Sequence, residues 1–363
     1  MNYPFNNFSL IISIFILVSF ISLSASADDT YNSEKKSVKE ALAPNEDDES
    51  REEKIKDLFT KTKDNYSLLT KRSSISTVDF QYSYFASFQS TAILVDDRFS
   101  MSDLRSDSER EMATIFSFDH GIANNFTIGF SVPLYLKNSE SQTITEADNG
   151  DTLVSLRWQP RPGVSGELTT LMYMAYSFAS GLSPFEIELG EELSTGQGYP
   201  SLGIGLSFHK VFDPLVGFGS VSYTKNFNAD ELEQSRLFFL DADLPIEELT
   251  KDGVLREVNP GDTIAASFGI SYAVTYDFTF TMQYQHSITD RSTLTWDYVS
   301  EVDETITEST ESQIFDSGTI KFTAGWKGED NKFRNLHVIL PVTEGQPDII
   351  IGITLPLFSA AGG

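Results

Sequence analysis

Phe126, Ile128, Phe130, Val132, Leu134 and Leu136 put a large apolar side chain on every even position of an eleven-residue stretch. The odd positions hold mostly small or polar groups. A β-strand has period 2, so the pattern makes one oily face and one lean face. Eleven residues is long for a soluble strand, typically about five or six. It matches the roughly nine to eleven that cross a bilayer when tilted. The pattern recurs down most of the chain, and it constrains the solvent the fold was built for.

A chain of 363 residues has room for two soluble domains or one large closed sheet. Residues 1–27 stand apart. An apolar run at 10–23 has the length of a leader's hydrophobic region, and Ala25-Ser26-Ala27 reads as a small-x-small cleavage site. No Lys or Arg precedes the run. A membrane anchor is the rival reading, but the run is short for a span. Export with leader cleavage is expected. The chain has no cysteine, which excludes a disulfide scaffold, Cys-based zinc sites and a thiol nucleophile. A closed hydrogen-bond ladder can hold an exported chain instead. The net charge of −27 repels phosphate backbones, so nucleic acid is excluded as a partner.

Residues 28–75 are expected to be a periplasmic segment, disordered at first and then a short helix. Ser50-Arg51-Glu52-Glu53 has capping-box spacing. Ile55, Leu58 and Phe59 follow at i, i+3, i+4, a short amphipathic face. The plain reading is a fraying linker helix; the sharper one is a plug helix docked against a pore. Sustained heptads are lacking.

From about residue 76 the period changes to 2. Strands are expected over 78–88, 111–120, 126–137, 153–158, 168–178, 202–210, 215–227, 264–274, 278–287, 319–326, 336–342 and 349–358. The segment 215–227 has mixed parity, which suggests a bulge. The connections 121–125, 160–167, 212–214, 275–277 and 327–332 are short. Those at 89–110, 138–152, 180–201, 228–263 and 288–318 are long. Short periplasmic turns alternating with long outer loops are what an outer-membrane barrel shows. The connection 343–348 is short for an outer loop.

Soluble barrels share the period, so it does not say which face is inside. Strand length and loop alternation favour the membrane. So does a lean face of Gly203, Gly205, Ser207, Ser267, Gly269 and Ser271, and so do Trp158 and Trp326, which end oily rows beside short turns where an interfacial girdle would lie. The expected fold is all-β: a transmembrane antiparallel up-and-down barrel of about twelve strands over 76–358, with a tail at 359–363.

Candidate chemistry is sparse. Of the four histidines, His209 and His337 fall on the lumen parity, His286 on the lipid parity near the outer rim, and His120 joins no poised constellation. Catalysis is therefore not expected. Glu186 and Glu188 share a face and resemble a glycosidase pair, but an acidic loop contains the same residues. Asp148-Asn149-Gly150-Asp151 is dense in oxygen ligands for Ca²⁺; a turn opening a strand is the plainer reading. No cofactor is expected. The lumen-side charges are Asp79, Arg157 and Lys321, with Asp119 toward the periplasmic end. They either brace a closed interior or select what passes a hydrated one. The acids of 228–263 and 288–318 are expected mainly to keep those loops solvated.

Several short motifs, in order, resemble the outer-membrane barrel family labelled "meta-pathway of phenol degradation" (MetA-like transporters), which includes the export barrels of Fap-type functional amyloid. They are Leu68-Leu69-Thr70, Tyr82-Ser83-Tyr84, Gly121-Ile122 with Phe126, Val132-Pro133-Leu134-Tyr135, Gly150-Asp151, Ser194-Thr195-Gly196, Phe212-Asp213-Pro214, Val221-Ser222-Tyr223, Pro260-Gly261-Asp262, Pro347-Asp348 and Leu355-Pro356-Leu357. The resemblance implies a twelve-stranded transport barrel in a Gram-negative outer membrane, without catalytic residues. The cargo would be a small apolar or aromatic compound, or a secreted polypeptide. The implied partners are membrane lipid, lipopolysaccharide and the barrel-assembly machinery. The chain lacks the heptads of the amyloid exporters and continues past Phe358. A closed structural or adhesive barrel, binding a partner through acidic loops, is the alternative.

Overall fold

The computed structural model describes residues 68–85, 92–95, 98–101, 110–139, 143–161, 167–188, 191–239, 250–275, 277–299, 305–328, 332–343 and 347–360. The expected leader at 1–27, the segment 28–67 with Ile55, Leu58 and Phe59, and the last residues of the tail lie outside them.

The strands in chain order are β1 (Ser74–Tyr84), β2 (Ala92–Val95), β3 (Arg98–Met101), β4 (Arg110–Ala123), β5 (Phe126–Ser139), β6 (Ile144–Asn149) and β7 (Leu153–Trp158). Then follow β8 (Thr169–Ser177), β9 (Ser201–Phe212), β10 (Leu215–Asn226), β11 (Ser235–Phe239), β12 (Thr250–Asn259) and β13 (Thr263–Thr275). The last are β14 (Phe278–Thr289), β15 (Thr293–Val299), β16 (Thr305–Glu311), β17 (Phe315–Lys327), β18 (Phe333–Pro341) and β19 (Ile349–Ala360).

Twelve of them close a ring: β1-β4-β5-β7-β8-β9-β10-β13-β14-β17-β18-β19, with β19 back on β1. Every pairing is antiparallel, and all twelve expected strands are present. Most run a few residues further than the oily rows, because ladder pairing continues past the last apolar side chain. β1 is displaced toward the N-terminus, starting at Ser74 where Ser74 faces both His120 and Ala360.

The expected bulge in 215–227 does not occur. β10 keeps unbroken register with β9 and with β13. Its mixed parity arises because Val216 and Phe218 point inward and are buried there. The apolar rule for the outer face says nothing about apolar residues within.

The expected long loops 138–152, 228–263 and 288–318 contain strands. β6 pairs with the upper half of β5 (Leu134↔Asn149 to Ser139↔Ile144), while β7 pairs with the lower half (Ser131↔Leu153 to Phe126↔Trp158). The two are one wall strand interrupted at 150–152. β12 and β15 continue the β13–β14 hairpin: the register passes from Thr263↔Thr289 to Asn259↔Thr293. At that joint a Cβ on Gly261 would sit 1.9 Å from the carbonyl oxygen of Asp290, so no side chain fits. With β11 and β16 they form a four-stranded sheet beyond the barrel rim.

That outer sheet has a core of its own. Ala229, Leu232, Leu255, Val258, Leu294 and Trp296 bury one face against Phe185, with Tyr199 packed alongside. The described parts of these loops are thus a folded cap, with Asp230, Glu231 and Glu233 exposed on it. On its wet face Asp297 accepts from Thr307 Oγ1 (2.7 Å) and Arg256 Nε (2.9 Å), which hold its carboxyl below the usual range. Asp262, at the foot of the cap, is pushed up by desolvation. Bonds from Tyr223, Lys225 and the Asn226 N–H outweigh this, and its pKa ends lowered. Leu294→Ala should destabilise the cap by about 2 kcal/mol. Hydrogen exchange should quicken in residues 250–259 and 293–299 while the barrel amides stay protected.

Candidate functional site

The wall sorts its residues by parity. Phe130, Leu134, Ile204, Phe208, Ile264, Phe268 and Ile270 point outward and stand open on the barrel's outside, Ile264 at 64% and Phe268 at 63% exposure. The pattern continues around the ring. Soluble monomers rarely expose apolar patches beyond a few hundred Å², so this surface is matched to hydrocarbon. Trp158 faces Phe126 and Trp326 faces Phe278, both pairs at the short-turn rim. The inward rows are lean and hydroxyl-rich. Ser220 bonds Ser267 (2.8 Å), Ser271 bonds Thr281 (2.8 Å) and Ser117 bonds Ser131 (3.1 Å) across strands.

Asp119 and Arg157, named separately from sequence, form an ion pair across three strands. Asp119 faces Gly129 and Gly129 faces Ser155, two residues from Arg157. A Cβ on Gly129 would lie 2.4 Å from Asp119 Oδ1 and 2.5 Å from Ser155 Oγ. The glycine therefore makes the groove through which the guanidinium reaches its acid.

Asp79 accepts from Gln81 Nε2 (2.6 Å) and Thr354 Oγ1 (3.1 Å), with His337 Nε2 at 3.9 Å. His337 is 2% exposed and His209 is also buried, both inward. His286 stacks on Tyr284 and pairs with Asp316 at 3.1 Å on the outside. His120 shares a hydrogen bond with Ser74 Oγ (2.8 Å). Lys321 faces inward between Gln283 and Ile339.

Sequence reading missed a third lumen pair. Glu111 and Lys137 are direct cross-strand neighbours, bridged at 3.1 Å, with Lys137 over the Tyr135 ring at 5.2 Å. Both sit on the lean parity of their strands, so the signal was present.

It also missed a clasp. Asp151, in the wall interruption, was read chemically as a turn or Ca²⁺ residue. Its Oδ1 accepts from the N–H groups of Ser180 and Gly181 (3.1 Å each), and its Oδ2 from that of Gln197 (2.7 Å). Ser180 Oγ donates to the Gly150 carbonyl (3.0 Å) and accepts from the Thr152 N–H (2.9 Å). Thr195 Oγ1 donates to the Asn149 carbonyl (2.7 Å). Backbone groups freed by the strand break are thus satisfied by residues 180–197. The same loop enters the cap core through Phe185, and Gln234 Nε2 holds the Ile187 carbonyl at 2.6 Å. Glu188 and Glu192 belong to this loop, the Glu192 carboxylate accepting from the Glu188 N–H at 3.1 Å. The loop joins the wall interruption to the cap.

At the opposite rim, the Leu69 N–H donates to Thr127 Oγ1 (2.9 Å), an inward side chain with no exposure. The Lys71 N–H donates to Asn124 Oδ1 (2.9 Å) and the Arg72 N–H to the Gly121 carbonyl (2.7 Å). The chain leading into β1 therefore lies against the inner wall of the short-turn mouth.

No family model matches the chain, and no curated protein matches its sequence. Among solved structures it is similar to the COG4313 outer membrane channel from Pseudomonas putida F1, at 9% identity and a TM-score of 0.52, covering 80% of this chain and 97% of that one. The toluene transporter TodX of Pseudomonas putida (8% identity, TM-score 0.37, 82% and 90% covered) and a KdgM porin (11%, 0.36, 78% and 99%) are more distant. The first likeness extends over nearly the whole barrel, and what it shares with this chain is the fold.

Proposed function

We propose that the chain is a passive channel of a Gram-negative outer membrane for a small apolar or aromatic compound. The observation that carries this reading is the sorting of the closed ring: apolar outside, hydroxyl and paired charge within. A small cargo is favoured over a secreted polypeptide because inward residues near the short-turn mouth, among them Thr127, Leu171, Ser207, Val216, Thr281 and His337, are almost fully shielded from water. That leaves little bore for an extended chain.

In this reading Trp158 and Trp326 sit in the periplasmic interface, against lipid, and lipopolysaccharide surrounds the outer rim. The leader is cleaved and the assembly machinery inserts the barrel. The segment before β1, with Ile55, Leu58 and Phe59, acts as a plug. Support for the plug comes from Leu69, whose N–H is anchored on the inner wall at Thr127.

The closed structural barrel is the second reading, favoured by the packed cap. Planar-bilayer recording separates them. Full mature chain should give discrete steps, and deleting residues 28–67 should raise the step size at least about twofold. Silence in both forms overturns the channel.

A further inference from the structure

Among the described residues, four cations project inward from the barrel wall: Lys137, Arg157, Lys321 and, at the short-turn rim, Lys327. Three face an acid: Lys137 has Glu111 at 3.1 Å, Arg157 has Asp119, and Lys327 has Asp277 at 3.9 Å. Lys321 has none among the described residues. It stands mid-strand in β17, half-buried, in a protein whose overall charge is strongly negative. A lone interior cation adds no pairing energy to the wall, whereas it attracts anions into the interior.

Its neighbours on one flank are apolar. Directly across the ladder from Lys321 is Ile339, and directly across from Ile339 is Ile350. Both share the inward parity of His337 and Gly352, and both are half-buried. On the other flank is Gln283, with an amide at the same level. Elsewhere many inward positions carry Gly, Ser or Thr, with other apolar residues such as Leu171, Val216 and Phe218 nearer the short-turn mouth. Strands lie about 4.8 Å apart, so the two isoleucines form an apolar shelf reaching about 10 Å from the lysine's strand. A carboxylate on Lys321 would lay a compact body along that shelf.

We propose that Lys321, Ile339 and Ile350 form a binding station for a small organic anion, a carboxylate with a compact apolar or aromatic body. The inference rests on the channel reading for traffic through the barrel, and it narrows the cargo from apolar compounds in general to amphiphilic acids. A charge-assisted bond inside the wall is lost when the cation goes, while contact with the isoleucines is not.

The test uses the full mature chain in detergent micelles, with 4-fluorobenzoate and neutral 4-fluorobenzyl alcohol followed by fluorine NMR. Wild type should bind the acid at least about tenfold more tightly than Lys321→Gln does. Lys321→Arg should keep most of that affinity, and Lys321→Gln should leave the alcohol unchanged. Ile339→Asn should weaken both ligands. Equal binding of acid and alcohol by wild type overturns the proposal without any variant, and so does unchanged acid binding by a folded Lys321→Gln. Conductance without acid preference sinks the station and spares the channel. Acid preference in an electrically silent barrel does the reverse.

Discussion

Gly129→Leu is expected to cost about 3–5 kcal/mol of barrel stability, the loss typical of breaking a buried ion pair by disabling one side. A Cβ there already meets Asp119 Oδ1 at 2.4 Å and Arg157 Nη2 at 3.1 Å, and a full side chain would part them. Arg157 is nearly buried, so its guanidinium would be left among hydroxyls without a counter-charge. Gly129→Ala should fall between leucine and wild type. Gly217, on the lipid side, is the control: its added Cβ would meet only the Phe212 ring at an ordinary 3.5 Å, so Gly217→Ala should change little. Urea midpoints in micelles, read by heat-shifted gel mobility, would rank the three. Equal midpoints for Gly129→Leu and Gly217→Ala would mean that the Asp119–Arg157 pair does not hold the wall.

Asp151→Ala should unfasten the clasp. The carboxylate accepts three backbone N–H groups, and charge-assisted bonds are each worth about 1.5–3 kcal/mol. The Ser180 N–H has a second acceptor in the Phe178 carbonyl (2.9 Å). Such bonds are not additive, so the loss of one bond's worth is the safe expectation. Exchange at the amides of Gly181 and Gln197 should accelerate about 100-fold, and at Ser180 less, because its N–H keeps the Phe178 carbonyl. Asp151→Asn keeps one acceptor oxygen and should lie between. The wall should survive, because Asp151 lies in the gap between the β6 and β7 ladders. Unchanged protection at all three amides would show that the loop is held from the cap side alone, through Phe185 and Gln234.

Much of the barrel was legible in advance because hydrocarbon imposes one rule on every wall strand. Each strand must present an oily row outward, and Phe126 to Leu136 does so whatever its neighbours are. Where that rule lapses, so did the reading. The β6 stretch lies at the outer end of the wall, and Thr145, Glu146 and Asp148 break its alternation. β12 and β15 bury one face in a small cap core, so Leu255, Val258, Leu294 and Trp296 look scattered until Phe185 is brought beside them. Val216 and Phe218 suggested a bulge because inward apolar residues disturb parity without disturbing register.

The interior divides in the same way. Parity along each strand sufficed to send Asp79, Asp119, Arg157 and Lys321 inward. Which of them meet depends on the ring's stagger, a property of how twelve strands close and of no single segment. Closure set Asp119 level with Gly129 and Ser155, and left Lys321 between an amide and two isoleucines. It also carried Ser180, Gly181 and Gln197 to a carboxylate about thirty to fifty residues earlier in the chain. Local periodicity thus determined the strands, their faces and the solvent they meet, since these depend only on a residue and its near neighbours. Pairing of charges, the clasp and the cap were decided by tertiary structure, because each joins groups whose separation along the chain carries no information about their separation in space.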